Sequence, residues 1–245
     1  MPNYKIYPSL LNKFQDYLDA ERDAEESWNE TADGDYRIAP AELVAAREKQ
    51  LIDAVNRVPF VSEAADRGTA FNKLVDLLIS VPIAADPCAE VDGFAFSGEL
   101  AKEVAGMLPM PLAQYYTEAV LHTSMGDVLL YGYPDYWCAD NMVVDLKTTG
   151  QYQWPKFDRN WQRLVYPWCL TTGSGATVDL FRFLVVKWAK PTKIEPYWRG
   201  TIYTEDYNYN HAMATQQLKG ICEQFIGWLE HNKEKITDKK IFAEL

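Results

Sequence analysis

Two acids and a lysine stand at positions where β-strands normally carry uncharged side chains. Asp135 lies in an aromatic and aliphatic run, and Asp145 and Lys147 end the next apolar run. Strands of this kind are depleted in Asp and Lys, and such charges are seldom buried without a partner. Two neighbouring carboxylates suit a hard divalent cation, and a nearby lysine can orient or deprotonate water. The three residues are therefore candidates for metal-assisted hydrolysis.

The spacing of the two runs predicts a β-hairpin that brings the acids together. A three-residue polar turn at 139–141 separates the runs. If this turn centres on Asp140, then Asp135 and Asp145 face each other with Cβ atoms about 4.5–5.5 Å apart, and a one-residue shift still leaves them neighbours. Because side chains alternate along a strand, Asp145 and Lys147 share a face. The alternative is a hairpin with only a surface ion pair.

Three short motifs in this region resemble those of the PD-(D/E)XK nuclease superfamily, and especially its RecB-like exonuclease branch. They are Gly132-x-x-Asp135, Asp145-x-Lys147-Thr148 and Gln162-x-x-x-Tyr166. Asp-x-Lys alone has little specificity, since Asp238-Lys239-Lys240 matches it too. The order of all three motifs, with the Asp-x-Lys-Thr ending an apolar strand, is much more specific.

The resemblance implies a role for each motif residue. Asp135 and Asp145 become metal ligands with catalytic roles, and Lys147 becomes the catalytic lysine. Gln162 and Tyr166, one helical turn apart, line a helix that faces DNA. The implied cofactor is Mg²⁺ or Mn²⁺.

Further site residues follow from the same resemblance. Glu118, on the preceding strand, stands where this branch often has another catalytic and metal-binding acid. Asn72 stands where the branch commonly has a metal-binding histidine, after Gly68. An amide oxygen is a weaker ligand, so either Glu118, Asp135 and Asp145 carry metal binding or the site is impaired. Asp76 and His122 are additional candidates, although an ordinary surface acid and a structural histidine are the favoured interpretations.

The hydrophobic periodicity predicts an α/β fold with helices before and after the strands. Predicted helices span 8–29, 40–58, 62–80, 97–107, 157–170 and 205–235, and predicted strands span 115–123, 127–138, 142–148, 176–188 and 194–203. This order fits a restriction-endonuclease-like αβββαβ core with a mixed central sheet and extra N-terminal helices. We expect one domain over 1–245, with a mainly helical part at 1–110 and the nuclease core and C-terminal helix at 111–235.

Composition bears on cofactors and compartment. The four cysteines lack CxxC spacing and the arrangement that holds an iron–sulfur cluster in some RecB-like nucleases, so no cluster is expected. No run is long enough to span a membrane, and the first residues do not resemble a signal peptide. We therefore expect a cytoplasmic protein with no membrane partner, and the resemblance implies a bacterium or a phage-infected cell as its source.

The charge distribution bears on the expected function. The net charge of −11 is awkward for a DNA enzyme, but residues 147–200 hold nine Lys and Arg against three Asp and Glu. The tryptophans of this segment could stack on bases, although core positions are favoured for most of them. The resemblance implies a metal-dependent DNA nuclease, and its RecB-like branch implies an exonuclease in preference to an endonuclease. It would act in recombination, repair or phage DNA processing, with DNA and a recombination or helicase protein as partners. The alternative is a non-catalytic DNA-binding or protein-interaction relative that kept the fold.

Overall fold

The computed structural model describes residues 2–29, 38–81 and 87–243. Its helices are α1 Pro8–Leu18, α2 Ala20–Asn29, α3 Pro40–Val55, α4 Glu63–Ser80, α5 Gly98–Gly106, α6 Gln162–Ser174 and α7 His211–His231. Two short 3-10 helices follow α7, at Lys233–Lys235 and Lys239–Phe242. Within the described ranges, every helix is too short or too polar to cross a lipid bilayer.

The strands form a mixed α/β structure with three separate sheets. In chain order they are β1 Tyr4–Ile6, β2 Cys88–Val91, β3 Phe94–Ser97, β4 Leu112–Ala113, β5 Thr117–Thr123, β6 Gly126–Gly132, β7 Tyr136–Cys138, β8 Met142–Thr149, β9 Leu180–Ala189 and β10 Arg199–Asn208. The largest sheet has the order β10-β9-β8-β7-β4, and a second has the order β1-β6-β5. Strands β2 and β3 form a hairpin of their own. A mixed sheet was expected, but the consecutive strands β5 to β8 are divided between two sheets.

Strand β8 is the inner strand that carries Asp145 and Lys147. It pairs antiparallel with β7 and parallel with β9, and the crossover between β8 and β9 contains α6. Its even-numbered side chains, such as Val144 and Leu146, belong to the apolar cluster that includes Phe71 of α4. Val143, on the other face, packs in the cluster that includes α6. Asp145 and Lys147 therefore project towards α6.

The N-terminal part differs from the prediction at two points. A single helix over 8–29 was predicted, but the chain forms two helices that meet at Asp19, the C-terminal cap of α1. Strand β1 was not predicted, because three residues show too little alternation, and its pairing with β6 joins segments more than a hundred residues apart. Ser62 and Ser97, residues typical of N-caps, stand at the start of two of the predicted helices, and their hydroxyls accept hydrogen bonds from Ala65 and Leu100 N–H at 3.4 and 3.3 Å.

The C-terminal prediction of a helix over 205–235 was wrong at its start. Residues 199–208 form β10, which pairs antiparallel with β9 along ten residues. The alternation of buried and exposed side chains, with Glu205 inward and Thr204 and Asp206 outward, is that of a strand. Helix α7 begins only after Asn210, whose side chain accepts a hydrogen bond from Met213 N–H at 3.0 Å.

Most tryptophans of the basic segment 147–200 are structural. Trp168 and Trp188 are buried, and Trp161 and Trp198 pack against the two apolar clusters. Trp154 alone among these five is largely exposed, at 70%. The core interpretation favoured for most of them is therefore confirmed.

Candidate active site

The hairpin has the register that places the two acids side by side. Tyr136 pairs with Val144 and Cys138 with Met142, so the turn centres on Asp140 as predicted. Asn141 turns the chain with a φ of 59°, a conformation that asparagine tolerates better than most residues. Asp135 directly precedes β7, and its Oδ2 accepts a hydrogen bond from the Leu146 N–H at 2.8 Å.

Asp145 is buried within a network of polar side chains. Only 2% of its side chain is exposed, and its Oδ1 accepts a hydrogen bond of 2.7 Å from Gln162 Nε2. Lys147 Nζ lies 2.6 Å from Asp145 Oδ2 and donates a hydrogen bond of 2.6 Å to Gln162 Oε1. Asp145 Oδ2 is buried and accepts no well-aligned hydrogen bond from the chain. The Gln162 amide thus holds the acid and the lysine in place, and the lysine forms an ion pair with the other oxygen of the carboxylate.

The charge of Asp145 disfavours ionisation of Asp135. Burial, and then the charge of Asp145, raise the pKa of Asp135 to about 7, although Lys147, the Leu146 N–H and Gln114 oppose the rise. The Gln114 side chain donates to Asp135 Oδ1 at 3.3 Å. Nothing in the sequence pattern marked Gln114, since it lies outside the motifs and reaches Asp135 only through the pairing of β4 with β7. Near neutral pH, the site therefore lacks the positive charge that would keep Asp135 fully ionised.

Tyr166 forms a wall of the site. Its hydroxyl accepts a hydrogen bond from Gln162 Nε2 at 3.2 Å, and the residue is 6% exposed. Its ring lies so close to Gly132 that an added Cβ there would be 2.7 Å from Tyr166 Cε1. The ring of Tyr166 therefore packs directly on Gly132, and it leaves no room for a larger residue at position 132. Gln162 contacts Asp145 and Tyr166 contacts β6, and the DNA-facing role that the resemblance implies for them stays a prediction.

We expect Gly132→Ala to destabilise the protein, because the new methyl group would collide with the buried Tyr166 ring. Overpacking of this kind typically costs about 1–3 kcal/mol. Gly220→Ala is the matched control, since Gly220 lies inside α7 with open space around its added Cβ. That change is expected to stabilise by about 0.5–1 kcal/mol. Thermal unfolding of both variants tests this contrast, and equal effects would contradict the close packing.

Glu118 does not join the two aspartates. It lies on β5, in the sheet separate from β8, and its exposed carboxylate accepts a hydrogen bond from the Tyr116 hydroxyl. Across the described parts of the chain, no three His, Cys, Asp or Glu side chains are grouped closely enough to hold a metal ion. His122 is also on β5, largely exposed and paired with Asp127. The structure thus brings together Asp135, Asp145 and Lys147 but leaves Glu118 and His122 outside.

Asn72 lies on the helix that covers the other face of the hairpin. One turn before it, an added Cβ on Gly68 would be 2.8 Å from Thr148 Oγ1 on β8. One turn after it, Asp76 Oδ1 accepts a hydrogen bond of 2.8 Å from the Tyr136 hydroxyl. Asn72 therefore points at the hairpin between these contacts, and its Oδ1 is buried without a hydrogen-bond partner. It makes no hydrogen bond to either aspartate, and Asp76 stabilises β7 rather than joining the acids.

Glu205 fixes the segment that links β8 to α6. Its carboxylate is 1% exposed and accepts hydrogen bonds from the Lys156 and Phe157 N–H groups at 2.8 and 3.0 Å and from the Tyr207 hydroxyl at 2.8 Å. Burial by itself would raise the pKa of Glu205, but these hydrogen bonds hold that pKa below its ordinary value. Sequence reasoning missed this role because it assigned Glu205 to a helix. The same loop, which directly follows β8, exposes Trp154 and Lys156.

We expect Glu205→Gln to destabilise the protein by about 2 kcal/mol, because one loop N–H would then face an amide NH₂ group instead of an oxygen. Exposed Glu234→Gln is the control, with an expected effect within about 0.5 kcal/mol. Urea unfolding measures both. Equal stability of the two variants would show that Glu205 does not hold the loop.

Comparisons with known proteins do not assign the chain to a family. Neither a protein-family model nor a curated protein matches it. The crystal structure of SSO0001 is similar over 91% of this chain and 78% of that one, with a TM-score of 0.45 and 10% identity. An alkaline exonuclease (LHK-Exo) from Laribacter hongkongensis is similar over 95% of both chains, with a TM-score of 0.36 and 11% identity. At these TM-scores neither likeness decides the fold or the function.

Proposed function

We propose that this chain hydrolyses phosphodiester bonds of DNA, with a divalent cation held between Asp135 and Asp145. The observation that carries the proposal is the pair of adjacent carboxylates, one of them buried, beside Lys147. Two like charges so placed cost the fold stability unless a cation lies between them. A protein that only binds DNA has no need to hold such a pair together.

The donor set fits Mg²⁺ or Mn²⁺. All the candidate ligand atoms are oxygens, which hard cations prefer. Mg²⁺ commonly uses one or two carboxylates and completes its shell with water and phosphate oxygens. Two aspartates therefore suffice without Glu118. The buried Oδ1 of Asn72 has no hydrogen-bond partner, but it belongs to the helix on the other face of the hairpin.

The neighbouring side chains have distinct tasks in this proposal. The cation would polarise a phosphate oxygen and lower the pKa of a water molecule. Lys147 would orient that water and offset the charge that develops on the phosphate. Gln162 would keep Lys147 and Asp145 in a single arrangement by donating to the acid and accepting from the lysine. Tyr166, pressed on Gly132, would keep Gln162 in place.

DNA as the substrate rests on the resemblance of the three motifs to PD-(D/E)XK nucleases. The charge distribution supports a polyanion, because the segment from Lys147 to residue 200 is basic within an acidic chain. The exposed Trp154 and Lys156 lie in this segment, in the loop next to the site. An aromatic ring and an ammonium group are suited to a nucleic-acid strand.

The decisive experiment compares linear and closed circular DNA with Mg²⁺, Mn²⁺ or EDTA. We expect metal-dependent loss of linear DNA only, as in an exonuclease, and no loss with Asp145→Asn. Cutting of the circle would keep the site but make the enzyme an endonuclease. DNA binding without cleavage in any metal would overturn the proposal in favour of a non-catalytic relative.

A further inference from the structure

A cavity of about 360 Å³ is lined in part by Tyr166 and Gly132, two of the motif residues. We call it the tyrosine pocket and define it by Tyr7, Ser9, Arg57, Tyr131, Tyr133 and Tyr166, with Gly132 at its base. None of the sequence motifs predicted it, because its lining comes from α1, the end of α3, β6 and α6. Only the fold brings these segments together.

The pocket shares a wall with the candidate active site. The Tyr166 ring packs on Gly132 at the pocket, while its hydroxyl accepts the hydrogen bond from Gln162 Nε2. The same Nε2 donates to Asp145. A group in the pocket would therefore contact the ring whose hydroxyl is hydrogen-bonded to Gln162, the residue that holds Asp145. Gly132 lines the pocket, and Asp135, three residues later in the chain, is one of the two acids.

Aromatic rings form most of the remaining lining. Tyr133 is 54% exposed, and its ring centroid is 5.1 Å from that of Tyr116. Tyr7 and Tyr131 pack edge to face at 5.8 Å. An exposed ring beside a cavity gives a flat π-face on which a base can stack.

Arg57 supplies the positive charge of the pocket. It follows the C-cap of α3 with a φ of 53°, a position where glycine is the favoured residue. Its Nε lies 3.1 Å from Asp238 Oδ2, and its charge opposes the rise that burial causes in the pKa of Tyr131. A long cationic side chain is thus held in a strained backbone conformation against a tyrosine hydroxyl. Guanidinium groups are well suited to phosphate.

We propose that the tyrosine pocket binds one unpaired nucleotide of the DNA strand, with its base against Tyr133 and its phosphate at Arg57. The volume is at the small end of ligand pockets, which span about 300–1,000 Å³, so it suits one nucleotide rather than a base pair. The enzyme would then act on a strand whose nucleotide beside the scissile phosphate is unpaired. This inference rests on the proposed function for its substrate class.

The test uses the whole protein in EDTA, where binding is measured without cleavage. Fluorescently labelled single strands carry one abasic unit at successive positions. We expect one position at which the missing base weakens binding about tenfold. Tyr133→Leu should weaken binding of the intact strand by a similar factor, whereas Tyr133→Phe, which keeps the ring, should bind as the wild type does.

The combination of the two changes separates stacking from a structural role. If Tyr133 stacks on that base, the abasic strand and Tyr133→Leu should not weaken binding further when combined. Additive losses, or no sensitive position, would overturn the proposal. Arg57→Gly relieves the backbone strain, so we expect it to fold stably and to bind the strand more weakly. Unchanged binding by this variant would overturn the phosphate assignment.

A competition experiment distinguishes the strand from a released nucleotide. A free deoxynucleoside monophosphate should displace the labelled strand far less well than an unlabelled strand does. Equal displacement would overturn the assignment to a strand. These assays measure binding and need no cleavage. A protein that shows the expected binding pattern but does not cleave DNA would therefore refute only the proposed hydrolysis. An active nuclease indifferent to Tyr133→Leu would refute only the pocket.

Discussion

Replacing Lys147 by methionine is expected to lower the rate of DNA cleavage by about 10²–10⁴-fold, the usual contribution of a positioned acid–base group. The same change should destabilise the metal-free protein by about 3 kcal/mol, because it leaves the buried Asp145 without its cation partner. Mg²⁺ should restore much of that stability but not the rate. Single-turnover cleavage and thermal unfolding with Mg²⁺ or EDTA measure the two effects separately.

Two further variants control this prediction. Lys219→Met removes a lysine from the exposed side of α7 and should change neither quantity. Lys147→Arg keeps the charge but not the compact ammonium geometry, so it should retain more stability than Lys147→Met while cleaving slowly. If the Lys147→Met protein folds and cleaves DNA at the wild-type rate, then Lys147 has no role in the mechanism.

Asp135→Asn should have opposite effects on stability and activity. In the folded protein the pKa of Asp135 is raised to about 7, above its ordinary value of 3.8, mainly by burial and then by Asp145. Because the pKa is higher in the folded state, Asp135 favours the folded protein while it is protonated at low pH. This contribution to stability is lost as the pH rises through about 7. The ionised acid therefore destabilises the metal-free protein most at alkaline pH.

We therefore expect Asp135→Asn to be more stable than the wild type by about 2 kcal/mol in EDTA at alkaline pH, with a smaller gain in acid. It should also lose metal-dependent cleavage. Unfolding curves at the two pH values and cleavage assays in Mg²⁺ measure this pair of effects. A variant that loses stability to the same extent at both pH values would indicate a structural hydrogen-bonding role for Asp135.

The sequence predicted the local features of this site well. The turn centred on Asp140 depends on residues within a few positions of one another, and so do the Ser62 and Ser97 caps. Alternation along β8 placed Asp145 and Lys147 on one face, and the structure joins them at 2.6 Å. Features of this kind are encoded in short stretches, where turn chemistry and side-chain alternation dominate.

Features that depend on pairing between distant segments were not predictable. Glu118 was grouped with the aspartates because it stands where the RecB-like branch often has a further acid, but β5 pairs with β6 in a different sheet from β8. Glu205 was placed in a helix because α7 follows closely, whereas pairing with β9 makes the segment a strand. Gln114 and Arg57 reach their sites only in the folded chain.

The most direct test of the central claim is a calorimetric titration of Mn²⁺ into the protein without DNA. The wild type and Glu118→Gln should bind the ion equally, because the exposed Glu118 lies apart from the acids. Asp145→Asn should lose this binding. Failure of the wild type to bind Mn²⁺, or loss of binding in Glu118→Gln but not in Asp145→Asn, would contradict a cation site between Asp135 and Asp145.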